Sequence, residues 1–287
     1  MRSRTTLAGL AIAAASFLFG STFVVIKDAV ATFPPISFVT WRFLLGGLVL
    51  MLIGAPRGMR VWRDGAVAGS LLFVGYSLQT AGLVTTGASN SALITGLFII
   101  FTPLLAALLY RRSPSLGIAA AALLAFAGVV FLTYRPETAL VRGDLLTVGA
   151  ALAFAGHIIA LDRLASRHSL LPFTAVQLLV TGLLAFPLAA ITEGVPLPGR
   201  RELPAILITA LGVSIGGYLL QLWAQTIISP SRTAILLALE PAFAVATAAV
   251  VLDERLTTAG WVGAGLIMAA ILLVIRFGAA EVAGRDG

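Results

Sequence analysis

The chain has 287 residues, of which 59% are Ala, Val, Ile, Leu, Met, Phe, Trp, Tyr or Cys and another 29 are glycine. Only 11% are charged, with a formal net charge of +7, whereas soluble domains contain roughly 25% charged residues. So few polar side chains cannot cover a water-soluble globule, and a disordered chain would be far less apolar. The composition therefore predicts an integral membrane protein.

Ten apolar stretches are long enough to cross a bilayer as helices, because a span needs about 20 residues. The first follows Arg2 and Arg4, and we expect it to be a span and not a cleaved signal peptide, because it continues unbroken to Ile26. Leu116–Leu132 is apolar on every side, which excludes the alternating strands of a β-barrel. The prediction is an all-α membrane protein with spans Thr5–Ile26, Ile36–Gly54, Gly65–Thr86, Ser89–Tyr110, Ser115–Tyr134, Gly143–Leu164, Leu170–Thr192, Leu203–Ile228, Arg232–Leu252 and Ala259–Phe277.

Several chemistries have no motif in this chain. Cysteine is absent, Lys27 is not in a glycine-rich phosphate loop, and His157 and His168 do not form a HExxH zinc motif. We therefore expect no enzyme activity, no cofactor and no metal.

The arginines lie in short loops, which favours contact with lipid headgroups over nucleic acid. With the N-terminus inside, twelve Lys and Arg residues are cytoplasmic and six are external, which predicts that both termini are cytoplasmic.

The two halves of the chain resemble each other. At an offset of 135 residues Phe19 falls on Phe154, and at an offset of 142 Gly75-Tyr76-Ser77-Leu78-Gln79 falls on Gly217-Tyr218-Leu219-Leu220-Gln221. We predict two five-helix repeats, 1–140 and 141–287, within one transmembrane domain. Because five is odd, the second repeat enters the membrane from the opposite side, and inverted repeats are typical of transporters.

Four motifs carry a resemblance to a known family. They are Trp41-Arg42-Phe43, Ser89-x-x-Ala92-Leu93, Ser231-x-x-Ala234-Ile235 continuing to Glu240-Pro241, and Leu252-Asp253-Glu254-Arg255-Leu256-Thr257. Together they resemble the EamA-type transporters of the drug/metabolite transporter superfamily, and length and layout are most similar to bacterial amino-acid exporters of the YddG type. The first repeat departs from the pattern, because Arg111-Arg112-Ser113-Pro114 stands where the second has Asp253-Glu254-Arg255-Leu256.

The resemblance implies a secondary transporter in a bacterial inner membrane. It implies export of small amphiphilic metabolites, foremost amino acids, by alternating access around a central cavity. A broad drug/metabolite or lipid transporter and a channel-like facilitator are the alternatives. Partners would be the small-molecule substrate and membrane lipid, with possible proton coupling.

Two polar stripes are candidates for substrate binding. Tyr76 and Gln79 share one helix face, and Tyr218 and Gln221 repeat that spacing in the second half. Lipid would leave the glutamine amides unsatisfied, so both stripes should face inward, where they line a cavity or bridge helices. Trp223 is a candidate aromatic wall for the substrate.

Charged, titratable and kink-forming residues at membrane depth are also candidate functional residues, because polar groups are costly to place there. Glu240 is a candidate site for a proton or a substrate ammonium. The alternative is that it pairs with the backbone carbonyl whose helix hydrogen bond Pro241 removes. Arg42 binds a carboxylate or anchors to a headgroup or loop. His157 either titrates or stays neutral and hydrogen-bonded. Pro103 and Pro241 are candidate gating kinks.

Small residues at four-residue spacing predict close helix packing. They occur at Gly117, Ala121 and Ala125, and again at Gly265 and Ala269. We interpret them as helix contacts within the chain, with a homodimer face as the alternative.

Overall fold

The computed structural model describes residues 2–109, 116–133, 141–227, 233, 236–237 and 239–283. These residues form helices and connecting turns, and no strand occurs among them. The all-α prediction is therefore confirmed for the described part of the chain. In chain order the helices are α1 Arg2–Ala29, α2 Pro35–Ile53, α3 Met59–Leu83, α4 Ala88–Thr95, α5 Phe98–Leu109, α6 Leu116–Thr133, α7 Arg142–Leu164, α8 Leu170–Thr192, α9 Leu203–Leu207, a π-helical segment Ile208–Gly217, α10 Tyr218–Gln225, α11 Leu239–Val251 and α12 Thr258–Ala283.

Seven helical runs are long and apolar enough to cross a membrane. They are Arg4–Ala29, Pro35–Ile53, Met59–Leu83, Ala88–Leu109, Arg142–Leu164, Leu170–Thr192 and Leu203–Gln225. Shorter apolar helices cover Leu239–Val251 and Thr258–Ala270 within the described residues. The seventh predicted span, Leu170–Thr192, has the same bounds in the structure, whereas parts of Ser115–Tyr134 and Arg232–Leu252 lie outside the described residues.

Two spans that the sequence predicts as continuous helices are interrupted. Between α4 and α5, Leu97 and Ile99 donate to carbonyls three residues back, so the helix tightens at Gly96. A Cβ atom at Gly96 would lie 2.9 Å from Cγ of Pro241, so the break is where the ninth span packs. The eighth span contains the π-helical segment Ile208–Gly217, which leads directly into α10.

The helices α2 and α8 pack tightly and run antiparallel. A Cβ atom at Gly47 would lie 2.6 Å from the backbone nitrogen of Leu179, and one at Gly182 would lie 2.6 Å from that of Leu44. The contact partners run in opposite chain directions, which fixes the antiparallel orientation. Gly47 and Gly182 are separated by 135 residues, as are Leu44 and Leu179, so one contact occurs twice in equivalent form.

A similar close approach joins α6 and α12. A Cβ atom at Gly128 would lie 2.8 Å from the Gly263 carbonyl oxygen, and Ala121 and Ala125 are buried. This part of the small-residue stripe therefore serves packing within the chain. Gly265 has no atom within 4 Å of its Cβ position.

Polar side chains from neighbouring segments satisfy several helix ends. The Glu193 carboxylate accepts hydrogen bonds from the backbone nitrogen of Ser37 at 2.6 Å and its hydroxyl at 2.8 Å, at the start of α2. The Glu254 carboxylate accepts from the backbone nitrogen and the hydroxyl of Ser89, both at 2.9 Å, at the start of α4. Lys27 donates to the Leu83 carbonyl at 2.7 Å, at the end of α3. Anions at helix N-termini and cations at C-termini complement the helix dipole.

Candidate functional site

A cavity of about 50 Å³ lies among the helices of both halves. Its walls come from α1, α3, α4, α5, α7, α10 and α11, together with Leu237 just before α11. The lining residues are Phe19, Thr22, Phe23, Tyr76, Gln79, Thr95, Phe98, Phe154, His157, Ile158, Tyr218, Gln221, Leu237 and Glu240.

Every lining residue has a counterpart across the cavity at one of the two offsets that relate the halves of the sequence. Seven lining residues come from the first half and seven from the second. An offset of 135 pairs the residues from α1 and α7, and an offset of 142 pairs the others. The pairs are Phe19 with Phe154, Thr22 with His157, Phe23 with Ile158, Tyr76 with Tyr218, Gln79 with Gln221, Thr95 with Leu237, and Phe98 with Glu240.

Two of the three pairs that are identical in both halves, the phenylalanines and the tyrosines, form an aromatic frame. The hydroxyls of Tyr76 and Tyr218 are hydrogen-bonded to each other at 2.8 Å. The Phe154 ring centroid lies 5.0 Å from that of Tyr76, and the Phe19 centroid lies 5.2 Å from that of Tyr218. The two ring contacts are equivalents of each other, so the tyrosine pair lies where the halves meet.

Glycine next to each tyrosine makes room for these phenylalanine rings. A Cβ atom at Gly75 would lie 2.6 Å from the Phe154 ring, and one at Gly217 would lie 2.6 Å from the Phe19 ring. Only a residue without a Cβ atom allows the ring to approach the helix this closely. The motif Gly-Tyr therefore places both an aromatic wall and a hydroxyl in each half.

The pairs that differ give the cavity its ionisable groups. His157 and Glu240 both come from the second half, opposite Thr22 and Phe98. His157 is buried, and its Nε2 lies 2.9 Å from Oε1 of Gln177, which fits the hydrogen-bonded interpretation. A carboxyl, an imidazole and glutamine amides can together bind an amine, a proton or a polar headgroup.

The structure brings together six of the seven residues that the sequence predicts as substrate-binding: Tyr76, Gln79, His157, Tyr218, Gln221 and Glu240. Trp223 does not line the cavity, because it points from α10 into the main hydrophobic cluster, where it is partly buried. Pro241 is buried against Gly96. Pro103 lies within α5, and its side chain lies outside the described part of the structure.

Arg42 is buried behind the cavity wall. Its side chain is 1% exposed, so the headgroup-anchor interpretation is wrong. Its Nε donates to the Ser214 hydroxyl at 2.8 Å, and its guanidinium carbon lies 4.8 Å from the Tyr76 ring centroid. Ser214 belongs to the π-helical segment, so this segment supplies the partner of Arg42.

Sequence reasoning missed the apolar and hydroxyl residues that complete the lining. They carry no charge, and their polarity does not set them apart from ordinary helix-packing residues. The repeat offset is an available signal for Thr22 and Phe98, since it pairs them with His157 and Glu240, which the sequence predicts as substrate-binding. The lining residues outside the predicted site are Phe19, Thr22, Phe23, Thr95, Phe98, Phe154, Ile158 and Leu237.

Apolar helices of spanning length around a partly polar cavity are typical of a multi-pass membrane protein. The profile of the EamA-like transporter family matches residues 6–134 and again residues 141–276. The chain belongs to this family, so it is a membrane transporter and not an enzyme. The resemblance found in the sequence is confirmed at the level of the family.

Relatives and a solved structure agree with this assignment. An uncharacterized transporter of Archaeoglobus fulgidus is 31% identical over 271 residues, which cover 93% of this chain and 85% of that protein. The uncharacterized transporter YcxC of Bacillus subtilis is 26% identical over 191 residues, which cover 62% of this chain and 60% of that protein. A solved crystal structure has a TM-score of 0.66 at 22% identity and covers 96% of this chain and 97% of its own, which shows a common fold.

Proposed function

We propose that this transporter exports small amphiphilic metabolites, foremost amino acids, across a bacterial inner membrane by alternating access around the central cavity. The observation that carries the proposal is the composition of the cavity wall. Each half contributes seven residues, and every one has its counterpart in the other half. A site shared in this way between two equivalent halves is suited to opening toward either face when the halves exchange conformations.

Inverted repeats, 1–140 and 141–287, are part of the proposal. The equivalent helices α2 and α8 are antiparallel, which supports an opposite orientation of the two halves. The family profile also matches twice, once in each half. With ten spans, the excess of Lys and Arg on one side, twelve against six, supports both termini in the cytoplasm.

The size of the cavity supports a mechanism in which the helices around it move. Sites for small molecules commonly enclose roughly 300–1,000 Å³, whereas this cavity has about 50 Å³. We therefore propose that the helices of the two halves move apart to admit an amino acid. Pro241 packs on the break at Gly96, and we propose that this contact, with Pro103 further along α5, is a hinge for that movement.

The lining residues suit an amphiphilic substrate. A zwitterion in an apolar site needs a polar partner at each end, because an unpaired charge is costly to bury. Glu240 is our candidate for the ammonium group or for a coupled proton, and Gln79, Gln221 and His157 offer further hydrogen bonds. The aromatic and aliphatic walls discriminate weakly between side chains, which favours a broad range of substrates.

The test is amino-acid counterflow in proteoliposomes. Purified protein is reconstituted with one unlabelled amino acid inside, and uptake of the labelled form is measured over a panel of amino acids. We expect saturable uptake that falls strongly in Gln79→Leu and Gln221→Leu. Gln225→Leu is the matched control, because Gln225 lies one turn beyond Gln221, does not line the cavity, and has an amide without a hydrogen-bond partner.

Other outcomes identify other functions. A folded protein without counterflow for any amino acid contradicts the proposed substrate. Flux that does not saturate and is not stimulated from the opposite side indicates a channel-like facilitator. Scrambling of labelled phospholipid by the same liposomes indicates a lipid transporter.

A further inference from the structure

Arg42 is a buried cation whose charge is not balanced by an acidic side chain of the described residues. None of the ion pairs found in the described ranges includes it. Its Nε has one partner, the Ser214 hydroxyl, and its buried Nη2 has no hydrogen-bond partner. Burying a guanidinium without an anionic partner is costly. The surroundings of Arg42 among the described residues provide no such anion.

Aromatic rings offset part of this cost and determine on which side of Arg42 its positive potential reaches the cavity. The guanidinium carbon lies 4.8 Å from the Tyr76 ring centroid and 5.0 Å from that of Phe43, within the range of cation–π attraction. Tyr76 lines the cavity and Arg42 does not. The tyrosine therefore separates the cation from the cavity, and the positive potential of Arg42 reaches the cavity at Tyr76.

The tyrosine pair can itself accommodate an anion. In the hydrogen bond between the Tyr76 and Tyr218 hydroxyls, at 2.8 Å, only one of the two phenolic protons is used. A carboxylate placed between the hydroxyls accepts both protons, and hydrogen bonds to a charged group are stronger than those between neutral groups. The carboxylate would also supply the anion that Arg42 lacks.

We propose that Tyr76 and Tyr218 bind the substrate's carboxylate by donating both hydroxyls, and that Arg42 acts through Tyr76 as the positioning residue that makes this site selective for an anion. The proposal rests on the proposed export of amino acids and names the part of the cavity that recognises their shared carboxylate. The substrate replaces the bond between the tyrosines, so binding loosens a contact between the two halves. Its ammonium group is then left for Glu240, which lines the same cavity.

The test compares ligands that differ in one charged group. L-Phenylalanine, phenethylamine, which lacks the carboxylate, and 3-phenylpropionate, which lacks the ammonium, compete with uptake of the labelled amino acid that the wild-type protein exchanges best. The readout is the ratio of inhibition by L-phenylalanine to inhibition by phenethylamine. We expect Arg42→Gln to lower this ratio about threefold to tenfold, because Arg42 attracts the carboxylate across Tyr76 without a hydrogen bond to it, while Arg42→Lys keeps part of the effect.

Further variants separate recognition from folding. Ser214→Ala removes the partner of Nε and should lower the ratio less than Arg42→Gln does. Ser77→Ala is the matched control, because Ser77 is buried beside Tyr76 and its hydroxyl has no hydrogen-bond partner. If the Arg42 variants do not fold, Tyr76→Phe and Tyr218→Phe carry the test, and each should lower the ratio.

The outcomes distinguish this inference from the proposed function. Wild-type exchange with an unchanged ratio in Arg42→Gln, or in both tyrosine variants where the Arg42 variants do not fold, overturns the inference and leaves amino-acid export standing. Absence of exchange in the wild type for every amino acid overturns the proposed function and this inference with it.

Discussion

The close contact between α2 and α8 makes a quantitative prediction for Gly47→Ala and Gly182→Ala. The new Cβ atoms would lie 2.6 Å from the backbone nitrogens of Leu179 and Leu44, where carbon contacts need about 3.5–4.0 Å. The helices must therefore separate by about 1 Å. Overpacking costs roughly 1–3 kcal/mol, and we expect values in the upper part of that range because backbone atoms cannot rotate away.

Thermal unfolding in detergent, followed by circular dichroism, measures this effect. The two variants should lower Tm to a similar extent, because the contacts are equivalents, and the double variant should cost less than the sum, because one separation relieves both contacts. Gly265→Ala is the control, since no atom lies within 4 Å of its Cβ position and alanine favours a helix. Alanine tolerated at either Gly47 or Gly182 would refute the packing argument.

Two further predictions concern hydrogen bonds that join separate segments. Tyr76→Phe and Tyr218→Phe should each destabilise the protein by about 1–3 kcal/mol by leaving a buried hydroxyl unpaired, while the double variant should cost less than the sum; additive losses in a thermal-unfolding double-mutant cycle would contradict this. Glu254→Gln should lower Tm by weakening the acceptor at the start of α4, whereas Asp253→Asn, which removes an exposed ion pair with Arg255, should change it little. Equal shifts in these two variants would count against the Glu254 contact.

Most of the fold follows from the sequence, because membrane-spanning helices require long apolar runs and few other structures contain such runs. The bounds of Leu170–Thr192 were predicted to the residue. The break at Gly96 and the π-helical segment were not, because both depend on tertiary contacts. The first accommodates Pro241 and the second carries Ser214, the partner of Arg42.

The site was predictable as far as polarity and repetition allowed. The tyrosines and glutamines were found because polar residues repeat at one helix face in both halves. Phe19 and Phe98 resemble ordinary packing residues, and only their counterparts at Phe154 and Glu240 set them apart. Trp223 shares its helix with Tyr218, but its direction depends on packing that the sequence pattern does not give.

The central claim is that one cavity opens to each side of the membrane in turn. The chain has no cysteine, so Thr22→Cys provides a single reporter inside the cavity. Vesicles of either orientation are labelled with a membrane-impermeant maleimide, with and without Glu254→Gln, which should release one end of α4. We predict labelling from both faces, with Glu254→Gln raising it from one face and lowering it from the other. Labelling from one face only, or from both faces without this reciprocal change, would contradict alternating access.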